Sequence, residues 1–171
     1  MTLSLTKAVL LCSALALSAC SNANKFGAGD DNVTNLNGGA GAVDAASDPT
    51  SVAYFQQTVG DRILFQVDQS TLDASGQALL TEQALWLNQN AGFNAIIEGH
   101  ADEQGTREYN LALGARRANA VQEYLVSQGV AGARLRTITY GKERPIEICS
   151  EESCYTQNRR AVTVLQAGLG S

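Results

Sequence analysis

The chain has 171 residues, 17% of them charged and 6% aromatic, with a formal net charge of −5. That length suits one domain with appendages. An acidic chain without aromatics interleaved among basic residues is neither a nonspecific nucleic-acid binder nor a basic membrane-surface patch.

The N-terminus carries the first specific signal. Lys7 supplies a positive charge ahead of AVLLCSALALSA, an apolar run of secretory h-region length. The run is shorter than the roughly 20 residues a membrane-spanning helix needs. It ends in LSAC, Leu17 to Cys20. An ordinary signal peptide that happens to contain a cysteine would look similar. The position of LSAC, where cleavage falls due, favours a bacterial lipobox instead. A lipobox makes residues 1–19 a removable signal and Cys20 the site of lipidation. One acyl chain binds a bilayer only marginally, whereas two or more hold it. Ser21, in place of the Asp that favours inner-membrane retention, resembles an outer-membrane address.

Residues 20–51 read as the lipidated cysteine and a flexible linker. The stretch is rich in Gly, Asn, Asp, Ala and Ser, and Phe26, Val33, Leu36 and Val43 follow no period. Such a segment buries too little apolar surface to offset its chain entropy. A tether of about 30 residues has a root-mean-square span on the order of 30 Å.

Residues 52–171 read as one domain. DRILFQV, 61–67, predicts a short strand. STLDASGQALLTEQALWLNQN places Leu72, Leu79, Leu80, Ala84 and Leu87 near helical spacing, with Ser70, Thr71 or Asp73 able to cap. FNAIIEG, 93–99, predicts a second strand, and 106–128 a long helix closed by Gly129. LRTITYG, 135–141, alternates as a strand, and RAVTVLQ, 160–166, supplies a fourth. The expected fold class is α+β, in the order βαβαβ-β. It would form a mixed four-stranded sheet with two long helices packed on one face.

Four cysteines are present. Cys12 leaves with the signal and Cys20 takes lipid, so Cys149 and Cys154 remain, in CSEESC. An exported compartment permits a disulfide between them. The competing reading is a metal site, but two thiolates and one distant histidine make a poor zinc set. No metal or cofactor is expected.

The densest polar stretch is EGHADEQGTREYNLALGARR, 98–117, which holds the only histidine, His100. His100, Asp102 and Glu103 invite a reading as a hydrolytic centre. Close neighbours in a loop point in different directions, however, and no HExxH or GxSxG motif accompanies them. The expectation is a binding protein, with a hydrolase acting through this loop as the alternative. In the following helix Asn110, Leu113, Arg117, Val121 and Tyr124 fall on one face. Arg117 thus sits within an apolar stripe, where a guanidinium needs an anionic partner or access at the core's edge. One account is an ion pair with Asp102 or Glu98. The other is a socket for a zwitterion, in which Arg117 grips a ligand carboxylate as a bidentate pair and Asp102 meets its ammonium.

The ordered motifs GHADEQGTREYN, LALGARRANAVQEYL, ITYGKERP and NRRAV resemble those of OmpA-like peptidoglycan-binding domains. With the lipobox and the tether, the whole chain is similar to lipid-anchored members of that family. The resemblance implies noncovalent binding of the peptide stem of peptidoglycan. Asp102 and Arg117 would hold the zwitterionic end of its diaminopimelate, with Asn110 and Leu113 completing the helix motif. It implies Arg159, in the NRR motif, as a further ligand-side residue. Gln66 stands where many members have Asp, which leaves only hydrogen bonding there. Gly114 stands where many have Ser. The resemblance also implies a TolB-like periplasmic partner and other Tol components, alongside an anchor in outer-membrane lipid.

Overall fold

The computed structural model describes residues 45–168. The signal segment, Cys20 and the tether to residue 44 lie outside the described residues. Helix α1, Val52–Tyr54, runs on into a π-helical turn, Phe55–Gly60. There follow β1 (Arg62–Leu64), α2 (Ala74–Gln89), β2 (Phe93–His100), α3 (Arg107–Ser127) and β3 (Leu135–Gly141). A short helix α4, Glu152–Asn158, precedes β4, Arg160–Ala167. The strands form one sheet in the order β1-β4-β2-β3. β2 and β3 run parallel, and β4 is antiparallel to both of its neighbours. The parallel pair requires a crossover, which α3 provides. The fold is α+β, with α2 and α3 as the long helices.

Both long helices begin at side-chain caps. The Asp73 carboxylate accepts from the Gly76 amide at 2.7 Å, and Thr106 Oγ1 accepts from the Tyr109 amide at 3.2 Å. Each cap satisfies a donor that the first turn leaves unpaired, worth about 1 kcal/mol. The helix following Thr106 buries Leu113, Ala118, Val121 and Leu125 against the sheet. Leu80, Leu87, Ile63 and Ile97 complete the centre of the core, with Phe55, Trp86 and Phe93 stacked beside them at ring distances of 4.9 and 5.3 Å. Each buried side chain of this size contributes about 1.5–3 kcal/mol.

The position of α3 on β2 is set by two glycines. A Cβ on Gly99 would lie 1.8 Å from the Gly114 carbonyl oxygen, and one on Gly114 would lie 2.4 Å from Thr139 Oγ1. Helix and strand therefore approach closer than any side chain allows. That approach carries Arg117, three residues further along α3, beneath the end of β2.

The sequence pattern differs from the structure in three places. β1 is shorter than DRILFQV, because the chain turns away over Gln66–Gln69, with Asp68 at φ 56°. Residues 45–51, assigned to the tether, form turns at the foot of α2, where Trp86 Nε1 donates to the Pro49 carbonyl at 2.7 Å. A buried indole N–H needs such an acceptor. Helix α4 lies in the segment around CSEESC, where short polar residues give little helical signal.

Candidate ligand-binding site

The loop 101–106, between β2 and α3, is fastened from several sides. The Ala101 amide donates to the Gly141 carbonyl at 2.8 Å, which extends the β2–β3 pairing by one bond. Asp102 Oδ1 accepts from the Gln104 amide at 3.2 Å. Asn110 Nδ2 donates to the Gln104 carbonyl at 2.7 Å, and Lys142 Nζ donates to the Gly105 carbonyl at 2.7 Å. Asn110 is buried, so its amide holds the loop from below.

Arg117 is wholly buried, at 0% exposure. Its guanidinium makes its direct bonds to main chain rather than to a carboxylate. Nε donates to the Gln69 carbonyl at 2.8 Å, Nη1 to that of His100 at 2.8 Å, and Nη2 to that of Gln66 at 3.1 Å. The Phe65 ring lies 5.2 Å from its Cζ. The side chain thus straps both ends of the Gln66–Gln69 turn to the end of β2. Burial pushes Arg117 down to about 10, while Asp102 and Asp68 pull in the other direction. It stays a cation at neutral pH. With five N–H donors, it keeps one on each Nη beyond these bonds.

The carboxylate that the sequence reading offered to Arg117 goes to another arginine. Asp102 Oδ2 accepts from Arg159 Nη1 at 3.2 Å, with both side chains almost fully enclosed. Arg159 Nε also donates to the Phe65 carbonyl at 3.2 Å, and its Nη2 bonds Glu152 and Thr156 Oγ1. Burial alone would lower Arg159, but hydrogen bonds to Glu152 and Asp102 outweigh it and raise the group. Both Asp102 oxygens have partners, yet each carboxylate oxygen keeps a further lone pair.

Two cavities flank this pair. One, of about 280 Å³, is lined by Val67, Asp68, Asp102, Gln104, Gly105, Tyr109, Asn110 and Leu113. Two of these lining residues are joined directly, the Tyr109 hydroxyl donating to the Asp68 carboxylate. The other, of about 440 Å³, includes Arg62, Gln66, Asp73, Glu152, Thr156 and Arg159. The five residues singled out from the sequence are therefore divided. Asp102 and Asn110 line the smaller cavity, Gln66 and Arg159 the larger, and Arg117 lies beneath the turn that separates them. Asp68 and Tyr109 were missed. An Asp inside a turn was the available signal for the first, and the exposed position next to Asn110 for the second.

His100, Asp102 and Glu103 do not converge. His100 is 2% exposed, with Glu98 Oε2 at 3.7 Å from Nε2 and the Tyr140 ring at 5.5 Å. Its Nδ1 and Nε2 make no hydrogen bond among the described residues. Burial, and then Arg160, Arg144 and Arg62, push it down to about 4. Glu103 accepts from Ser150 Oγ and Tyr155 Oη, each at 2.8 Å, and these bonds lower its pKa. Cys149 and Cys154 are joined by a disulfide, with Cα atoms 5.9 Å apart. No group of three or more metal-ligating side chains occurs among the described residues.

A sequence profile of the OmpA family matches residues 64–159. The peptidoglycan-associated lipoprotein of Mesorhizobium japonicum is 56% identical over 126 residues, 74% of this chain and 74% of that protein. That of Rhizobium meliloti is 50% identical over 163 residues, 95% of this chain and 88% of the relative. The chain belongs to the OmpA family, among its peptidoglycan-associated lipoproteins. The crystal structure of the peptidoglycan-associated lipoprotein from Burkholderia pseudomallei superposes with a TM-score of 0.63 at 36% identity, over 72% of this chain and all of that one (100%). The C-terminal domain of Helicobacter pylori MotB, 18% identical with a TM-score of 0.59 over 64% of this chain and 86% of its own, shares the fold. These relatives carry the name of a peptidoglycan-associated lipoprotein rather than of a hydrolase, and the separation of His100, Asp102 and Glu103 gives the hydrolase alternative no geometric support.

Proposed function

We propose that this chain is an outer-membrane lipoprotein that binds peptidoglycan noncovalently and so ties the outer membrane to the wall. The observation that carries the reading is the small cavity walled by Asp102 and Asn110, set beside the buried cation of Arg117. A diaminopimelate end presents an ammonium and a carboxylate on one carbon. Asp102 offers the acceptor for the first. The second meets the positive field of Arg117, whose own hydrogen bonds go to main-chain carbonyls. Closer approach of the carboxylate uses the free Nη hydrogens and loosens the Gln66–Gln69 turn. Asn110 and Arg159 act by fixing the loop and the Asp102 carboxylate, and Gln66 contributes a polar rim. Residues 1–19 are the signal, Cys20 carries the lipid, the tether leads from it, and the domain follows.

Each stem contact is modest, but many anchored copies face a polymer of repeating stems. Effective concentration then turns weak sites into a durable attachment that still lets the wall be remodelled. A TolB-like protein and other Tol components are the expected periplasmic partners, in envelope integrity and in constriction at division. The test is sedimentation of the full-length chain, in mild detergent, with purified peptidoglycan. Co-sedimentation that a diaminopimelate-containing stem peptide competes away supports the reading. A chain left in the supernatant refutes it.

A further inference from the structure

Between β3 and β4, the segment from Ile146 to Arg159 folds over the loop that carries Asp102. It has little intrinsic reason to hold its shape. α4 spans only Glu152–Asn158, and its N-cap, Glu151, makes no side-chain capping bond. A helix of that length is unstable without outside support. The support comes from two fasteners. The Cys149–Cys154 disulfide pins the approach to the helix onto its first turn. At the other end, Asn158 Oδ1 accepts from the Ile146 amide at 2.7 Å, and its Nδ2 donates to the Glu147 carbonyl at 2.8 Å.

Inside this closed segment stand the groups that reach the binding loop. Ser150 and Tyr155 both hold Glu103, the residue after Asp102. Glu152 and Thr156 both hold Arg159 Nη2, and Arg159 Nη1 holds Asp102. Ser150 lies between the two cysteines, and so does Glu152. We propose that the Cys149–Cys154 disulfide is a positioning element for the ligand site: it closes the segment that orients Asp102 through Arg159 and Glu103. The inference rests on Asp102 being ligand-facing, as proposed above.

Reduction by a dithiol of the envelope would proceed by ordinary exchange. One reductant thiolate attacks a cysteine sulfur and releases the other as a thiolate. The second reductant thiol then displaces the mixed disulfide, giving two protein thiols and one oxidised reductant. The freed segment would release Glu152 from Arg159, and Arg159 would hold Asp102 less rigidly.

The experiment uses the full-length chain, with wild type compared to Cys149→Ser/Cys154→Ser and to Glu152→Gln/Tyr155→Phe, which keeps the disulfide. Peptidoglycan affinity by sedimentation, hydrogen exchange of the 101–105 amides and circular dichroism are read together. Both variants are expected to lose about fivefold or more in affinity and to exchange faster at 101–105, while the amides of β2 and α3 stay protected. Wild-type affinity and wild-type exchange in a folded disulfide-free variant would overturn the proposal. If that variant unfolds, the Glu152/Tyr155 pair decides, and wild-type behaviour there overturns it equally. Faster exchange in both variants, with a wild type that does not bind peptidoglycan, would instead refute the wall-binding reading and leave the positioning role standing.

Discussion

Arg117 Nη1 lies 2.8 Å from the carbonyl oxygen of His100, at a fully buried point where β2 hands over to the 101–106 loop. One side chain on α3 thus terminates a strand and, through the carbonyls of Gln66 and Gln69, fastens a turn from the far edge of the sheet. Its structural work and its electrostatic work are inseparable.

Replacing Arg117 should therefore cost stability before any ligand is considered. Arg117→Leu strands the buried His100 carbonyl, which costs about 1–3 kcal/mol, and releases the carbonyls of Gln66 and Gln69, which lie nearer solvent. The expected loss in urea denaturation is about 1–3 kcal/mol. Arg117→Lys supplies a charge without the planar fork, so it should recover part of that loss and still weaken the grip on ligand. Equal stability in all three proteins would contradict the strap.

The Asp102–Arg159 pair makes a second expectation. With both side chains nearly enclosed, removing one partner leaves the other charge without its counterion. Arg159→Ala should destabilise by about 3 kcal/mol, and Asp102→Ala by less, because Glu152 still holds Arg159. A double-mutant cycle by chemical denaturation should return a coupling of about 0.5–3 kcal/mol, and additive losses would argue against the pair.

Helix α3 should tolerate no side chain where it crosses β2. Gly99→Ala would force a Cβ within 1.8 Å of the Gly114 carbonyl oxygen. Overpacking of this kind costs about 1–3 kcal/mol, and a backbone obstacle puts this case at the upper end. Gly114→Ser, the residue many OmpA-like domains carry there, should also destabilise this chain, since its Cβ would meet Thr139 Oγ1 at 2.4 Å. Thermal melts of the two variants test this.

His100 should give the fold an acid-side pH dependence. Its pKa falls from 6.5 to about 4 on folding. The folded state then binds fewer protons than the unfolded state between these values. Stability from this group is complete above about pH 6.5 and is lost as pH drops toward 4, by on the order of 3 kcal/mol. His100→Gln should flatten the profile of unfolding free energy across that window. An unchanged slope would mean that other groups set it.

Most of the strand and helix plan was legible because its signals are local: a short apolar run in 93–99, alternation in 135–141, and a helix face through Leu113, Val121 and Tyr124, although the structure buries Leu125 more deeply than Tyr124. The motif around Asp102 and Arg117 was legible too, but not the wiring between them. Which arginine takes Asp102 depends on β1, β2 and β4 meeting at one corner, and sequence spacing says nothing of a contact between residues 102 and 159. The Gln66–Gln69 turn escaped for the same reason. Its strap is a side chain 48 residues further on for Gln69. Pro49 reads as linker until Trp86 is known to need its carbonyl.

If the cavity beside Asp102 takes the zwitterionic end of a diaminopimelate stem, as proposed, the charge of Asp102 must contribute to binding. The most direct measurement is calorimetric titration of the full-length chain with a diaminopimelate-containing stem peptide, for wild type and Asp102→Asn. Asp102→Asn keeps the shape of the side chain and removes its charge. Wild type should bind one to one and the variant at least tenfold more weakly, with circular dichroism unchanged. Equal affinity in the two proteins would contradict the proposal and place the ligand elsewhere.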